Sequence, residues 1–102
     1  MKKKELYEFH AQFCKVFSSP QRLMILECLK AGELTNGDIV KKLGSPKANI
    51  SQHLTLMKMM RIVKTRREGT NIYFRIANRK LIDACCMMQD ALKQLMKNVP
   101  DF

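Results

Sequence analysis

A chain of 102 residues is long enough for one compact domain, and 46% hydrophobic residues suffice for a packed core, which excludes wholesale disorder. No apolar run approaches the ~18 residues of a membrane span, and MKKKELYEFHAQF at the N-terminus lacks the unbroken apolar stretch and cleavage site of a signal peptide. The net charge is +10, and residues 45–76 alone hold seven Lys/Arg against one Glu, a local excess of +6 that suits a polyanion, most simply DNA.

Residues 4–17 place Leu6, Phe9, Phe13, Val16 and Phe17 at helical spacing. His10 falls near that apolar face and reads as partly buried packing. SSPQRLMILECLKAG then opens a second helix, with Ser19 as cap, Pro20 at the first helical position and Gly32 at the stop. In TNGDIVKKLG, Thr35 and Asp38 form a capping-box pattern and Gly44 ends the helix. SPKANISQHLTLMKMM reads as a fourth helix capped by Ser45, with Ile50, Leu54 and Met57 as its buried stripe.

The period changes in IVKTRREGTNIYFRIA, where Ile72, Phe74 and Ile76 alternate with Tyr73 and Arg75, predicting a hairpin that turns at Gly69. A last helix, about 78 to 97, sets Leu81, Cys85, Met88, Leu92 and Leu95 at spacings of four, three, four and three. Such a seam asks for a partner helix. The fold class is therefore mainly α with a small β-hairpin. Two short helices around a tight Gly-containing turn, then a basic hairpin, describe a winged helix-turn-helix, here a single DNA-binding domain over residues 1–102.

The stretch SSPQRLMILECLKAGELTNGDIVKKLGSPKANISQHLTLMKMMRIVKTRREGTNIYFRI resembles the ArsR/SmtB family of winged-helix repressors. The Ser-Pro-x-Arg-Leu opening, the Gly-Glu-Leu before the third helix, ISQHL and the RREGTNIYFRI wing carry that resemblance, over residues 13 to 76. It implies a homodimer held by its first and last helices. It also implies binding to an inverted repeat in a double-stranded DNA operator, and release when an inducer binds.

With Ile50, Leu54 and Met57 facing inward, Lys47, Asn49, Gln52 and His53 are expected on the outer face of the fourth helix. Lys reaches guanine, and Asn or Gln pairs bidentately with adenine, in the major groove. Ser51 is a candidate phosphate contact, and Arg66, Arg67, Thr70 and Asn71 are expected to ring the wing tip and grip phosphate or minor groove. Two positions depart from the family pattern. Arg61 stands where members usually have Gly, which implies either a different bend or a strained backbone, and Ala48 stands where a hydroxyl is common.

The inducer is a question about cysteine. A reducing cytoplasm, the expected location, leaves Cys14, Cys28, Cys85 and Cys86 as free thiols. The family's cysteine motif at the third helix is absent, because Thr35, Asn36 and Gly37 occupy it. Its zinc site on the last helix needs histidines; Asp83 and Asp90 are present but that helix has none, which argues against zinc, nickel or cobalt. Cys85 and Cys86 are adjacent, so their α-carbons lie ~3.8 Å apart, short of the roughly 4.4–6.8 Å that a normal disulfide spans. Some family members bind trivalent arsenic or antimony through three cysteines that include an adjacent pair. By that analogy, Cys14, Cys85 and Cys86 are the candidate ligands for such an ion or another soft metal, acting as inducer and not required for folding. A thiol-redox or persulfide switch using Cys28 with Cys85 or Cys86 is the alternative, and Cys28 among Ile25, Leu26 and Leu29 also reads as simple packing. A winged helix serving only protein contacts is a third reading. An enzyme is not expected, since no nucleophile-base arrangement or phosphate loop is present.

Overall fold

The computed structural model describes residues 1–97. Its elements run α1 (Lys3–Val16), α2 (Pro20–Leu29), β1 (Leu34–Thr35), α3 (Asn36–Leu43), α4 (Lys47–Met59), β2 (Val63–Glu68), β3 (Asn71–Ile76) and α5 (Arg79–Leu95). Local chemistry explains most boundaries. The Ser19 side chain accepts from the Arg22 amide at the start of α2, where Pro20 needs no amide partner. Thr35 and Asp38 satisfy each other's backbone at 3.0 and 3.1 Å, a complete capping box, and Gly44 closes α3 at φ 67°. These hydrogen bonds to Thr35 hold the Asp38 carboxyl below its ordinary pKa.

The start of α4 corrects one expectation. Pro46, not Ser45, precedes its first turn, and no side chain caps it. The Ser45 hydroxyl instead accepts from Gln21 Nε2 at 2.6 Å, tying the turn to α2.

The core gathers Ile25, Leu26 and Leu29 of α2, Ile39 of α3, and Ile50, Leu54 and Met57 of α4. Ile62 and Val63 join it at the entry to the wing. The expected α4 stripe is at most 1% exposed. Each such side chain contributes roughly 1.5–3 kcal/mol by leaving water.

The hairpin pairs Val63 with Ile76 through Glu68 with Asn71, leaving Gly69 and Thr70 as its two-residue turn. Gly69 adopts the left-handed φ of 62° that this turn requires. The sheet also has a third strand that alternation did not predict: β1 pairs antiparallel with β3, Leu34 opposite Phe74, in the order β1-β3-β2.

Arg61 resolves the departure noted above. It holds φ 61°, the left-handed region, and is the only non-glycine among the described residues with a positive φ. The Ile62 amide reaches the Met57 carbonyl at 2.8 Å and the Arg61 amide reaches that of Lys58 at 3.0 Å. That is the Schellman ending of a helix, with buried Met57 and Ile62 in apolar contact behind it. The bend is kept and Arg61 carries the strain. Arg61→Gly is expected to raise stability by about 1 kcal/mol, offset in part by the greater freedom of glycine in the unfolded chain. Equilibrium urea unfolding would show it, and an unchanged or lower midpoint would refute it.

The two terminal helices stand apart from this core. α1 enters it through Val16, and α5 through Ile82. Leu6, Tyr7 and Phe9 on α1 stay exposed, as do Met88, Leu92 and Leu95 of the predicted α5 seam. His10 is exposed as well, not partly buried. The radius of gyration, 15.3 Å, exceeds the about 13 Å of a compact chain of this length. Among the described residues, no helix is long and apolar enough to cross a membrane.

Candidate nucleic-acid interface

α3 and α4 form the helix-turn-helix and the hairpin forms the wing beside it. On α4, Asn49 and Gln52 are exposed away from the buried Ile50, Leu54 and Met57, and Lys47 is exposed as the first residue of the helix. Their side chains engage none of the hydrogen bonds found among the described residues, so donors and acceptors stand free over the first turns of the helix. Thr55, also exposed and one turn beyond Gln52, extends that row; the sequence reading passed over it, although its spacing of three from Gln52 was the signal.

Three residues expected to meet DNA have partners inside the chain. Ser51 Oγ accepts from Asn36 Nδ2 at 2.6 Å, joining α4 to the start of α3. His53 is not on the open face: it is half-buried, and its Nδ1 accepts from Arg22 Nε at 3.2 Å. An acceptor at Nδ1 places the ring proton on Nε2. Burial, then the Arg22 charge, holds the His53 pKa below its ordinary value. Arg66 does not ring the wing tip. It lies opposite Tyr73, stacks over that ring at 4.5 Å, and donates from Nε to Glu33 at 2.8 Å and from Nη1 to Glu68 at 2.7 Å. Two carboxylates offset its charge within the chain, and the one on Glu33 anchors the wing to the loop before β1. Arg67, Thr70 and Asn71 are exposed at the outer end of the hairpin, as expected. Sequence reasoning missed the supports, Gln21, Arg22 and Asn36, because each acts on a residue 15 to 31 positions away.

The thiols are spread out. Cys14 is exposed on α1, Cys28 half-buried on α2, and Cys85 and Cys86 half-buried on α5. Cys86 packs against the core and lines a cleft with Leu23, Met24 and Glu27 of α2 and with Lys30 just past its end. Burial, then the neighbouring Cys86, pushes the Cys85 thiol up. Lys30 is raised by Glu27 first and by Cys86 second. Among the described residues of one chain, no three His, Cys, Asp or Glu side chains come together as a metal site.

A helix-turn-helix with an exposed recognition face and a three-stranded wing defines a winged-helix transcriptional regulator. The profile of the arsR family of bacterial regulatory proteins matches residues 19–65, and the chain belongs to that family. It is 41% identical over 86 residues to an HTH-type transcriptional regulator of Methanocaldococcus jannaschii, covering 78% of this chain and 97% of that one. It is 36% identical over 70 residues to the transcriptional repressor SdpR of Bacillus subtilis, covering 69% and 78%. Its fold matches a homodimeric winged helix-turn-helix DNA-binding domain from Mycobacterium bovis with a TM-score of 0.82 and 29% identity, covering 91% of this chain and 86% of that one. SdpR is a transcriptional repressor and the family is one of regulatory proteins, so the expectation that the chain is no enzyme holds with the family.

Proposed function

We propose that the chain is a homodimeric repressor that binds an inverted repeat in its operator and leaves it when a thiophilic inducer binds. The observation that carries the DNA reading is the free, exposed row Lys47, Asn49 and Gln52 on α4, with Arg67 exposed on the wing beside it. Lys47 is at the N-terminal end of α4, where a recognition helix meets base edges. Dimerisation is supported by the exposed apolar faces of α1 and α5 and by the homodimeric state of the Mycobacterium bovis domain.

For the inducer, the reading favoured is trivalent arsenic, antimony or another soft ion held by Cys14, Cys85 and Cys86. Since one chain does not assemble three thiols, a second copy has to complete the set, with Cys14 of α1 meeting the α5 pair across the dimer. Thiolates suit such ions. The thiol-redox reading draws on one placement: Cys86 faces α2, the helix that bears Cys28.

The DNA reading is tested by titrating duplexes at several salt concentrations. Gln52→Ala is expected to weaken the preferred sequence by about 1–3 kcal/mol if its amide pairs bidentately. Arg67→Ala is expected to weaken every sequence and reduce the salt slope by about 1. Salt-independent binding, or binding to no duplex, would replace this reading with a winged helix that contacts protein.

A further inference from the structure

Arg22 joins three helices. Its backbone amide donates to Ser19 at the start of α2, its Nη1 donates to the Val16 carbonyl at the end of α1 at 3.2 Å, and its Nε donates to His53 on α4. Among the described residues, it makes the only side-chain hydrogen bond from another helix to the α1 backbone. The other ties on α4 run elsewhere: Asn36 to Ser51 reaches α3, and Gln21 to Ser45 holds the preceding turn to α2.

Building on the DNA-binding reading above, we infer that Arg22 and His53 are positioning residues for operator recognition, transmitting the orientation of α1 to the recognition helix. A guanidinium is planar, so its donors keep a fixed angle to one another. A shift of the last turn of α1 against α2 therefore turns the fork, and the His53 ring moves with it. Gln52, beside His53 in sequence, is on the exposed row, so a rotation of α4 about this anchor changes where its amide points. The link also has a chemical condition. Only the neutral imidazole offers Nδ1 as an acceptor; once protonated, it confronts the Arg22 fork with a second donor and a second positive charge. Arg22 on α2 is the charged group that acts on His53, and no charged side chain of α1, α3 or α4 adds to it.

The test compares binding to a duplex selected by the wild-type chain from a randomised library with binding to a scrambled duplex, from about pH 5 to 8, where histidine titrates. The wild-type preference for the selected duplex is expected to fall roughly 10-fold as pH drops through the lowered His53 pKa, the loss of one charge-assisted hydrogen bond. His53→Asn places an amide oxygen near the Nδ1 position and does not titrate, so it should keep the preference and flatten the profile. Arg22→Ala should lose the preference about 10-fold at neutral pH with no further loss in acid. Arg22→Lys, which keeps the charge without the fork, should behave likewise if the alanine variant folds poorly. His10→Gln should titrate as wild type. In the free protein, nitrogen NMR of the imidazole should show Nδ1 unprotonated at neutral pH. A protonated Nδ1, a His53→Asn profile that follows wild type, or folded Arg22 variants with full preference would each overturn the inference. Wild-type protein that prefers no duplex overturns the DNA reading itself, and the imidazole spectrum still reports separately on the Arg22 link.

Discussion

Leu92→Glu is expected to convert the dimer to monomers and to lower operator affinity by roughly 10²–10⁴-fold, the advantage of engaging two half-sites at once. Leu92 is 45% exposed in the single chain, beside Met88 at 62% and Leu95 at 77%. A glutamate there is solvated in the monomer, so the fold should survive and circular dichroism should stay unchanged. In a dimer the same carboxylate would be taken out of water without a partner, which costs several kcal/mol. Sedimentation at micromolar concentration together with a mobility-shift titration checks both parts. If wild-type protein sediments as a monomer, or the variant remains dimeric, α5 is not the dimer helix.

The second large effect concerns the inducer. A coupling of about 1–3 kcal/mol between ion and operator corresponds to a 5–150-fold loss of DNA affinity when the ion binds. Cys85→Ser and Cys86→Ser should each abolish that loss while ion-free DNA binding stays intact, and Cys14→Ser should do the same. Cys28→Ser should leave the response in place and cost some stability. If these thiols hold a divalent soft cation such as cadmium, burial of Cys85 raises the pKa of a proton that the cation must displace, and affinity should rise with pH; arsenite and antimonite take up the thiol protons as water with their own hydroxides, so their affinity should depend on pH only weakly. Anaerobic titration with arsenite, antimonite, cadmium, zinc and polysulfide separates the alternatives. Loss of response in Cys28→Ser but not in Cys14→Ser, with polysulfide rather than arsenite releasing DNA, would establish the redox switch.

What could be read from the chain was local. Thr35 with Asp38, Ser19 with Pro20, and Gly44 act on backbone within four residues, so their patterns announce the helix ends directly. The stripe Ile50, Leu54 and Met57 is one face of one helix, and Arg61 betrayed its left-handed bend by replacing an expected glycine. What could not be read was tertiary. Two residues of β1 carry no alternation, and they become a strand only because Phe74 and Tyr73 lie alongside. Ser51, His53 and Arg66 look like free polar groups until Asn36, Arg22 and Glu33 arrive from distant segments. The polar face of α4 is exposed at Lys47, Asn49 and Gln52, and at its edges Ser51 and His53 have partners within the chain that hold the helix. The cysteines show the same limit: adjacency was visible, but the turning of Cys86 toward α2 was not.

The order β1-β3-β2 leaves β2 as the open edge along the length of the hairpin. An exposed strand edge invites another strand to add on, the route by which small sheets polymerise. Here the edge carries Lys64, Arg66, Arg67 and Glu68, and among these Lys64 and Arg67 have no carboxylate partner in the described residues. A second copy approaching edge to edge would bring those cations against their own kind. Like charge along this edge therefore opposes edge-to-edge pairing of copies. Neutralising Lys64 and Arg67 together would remove that repulsion and expose the sheet to its own copies.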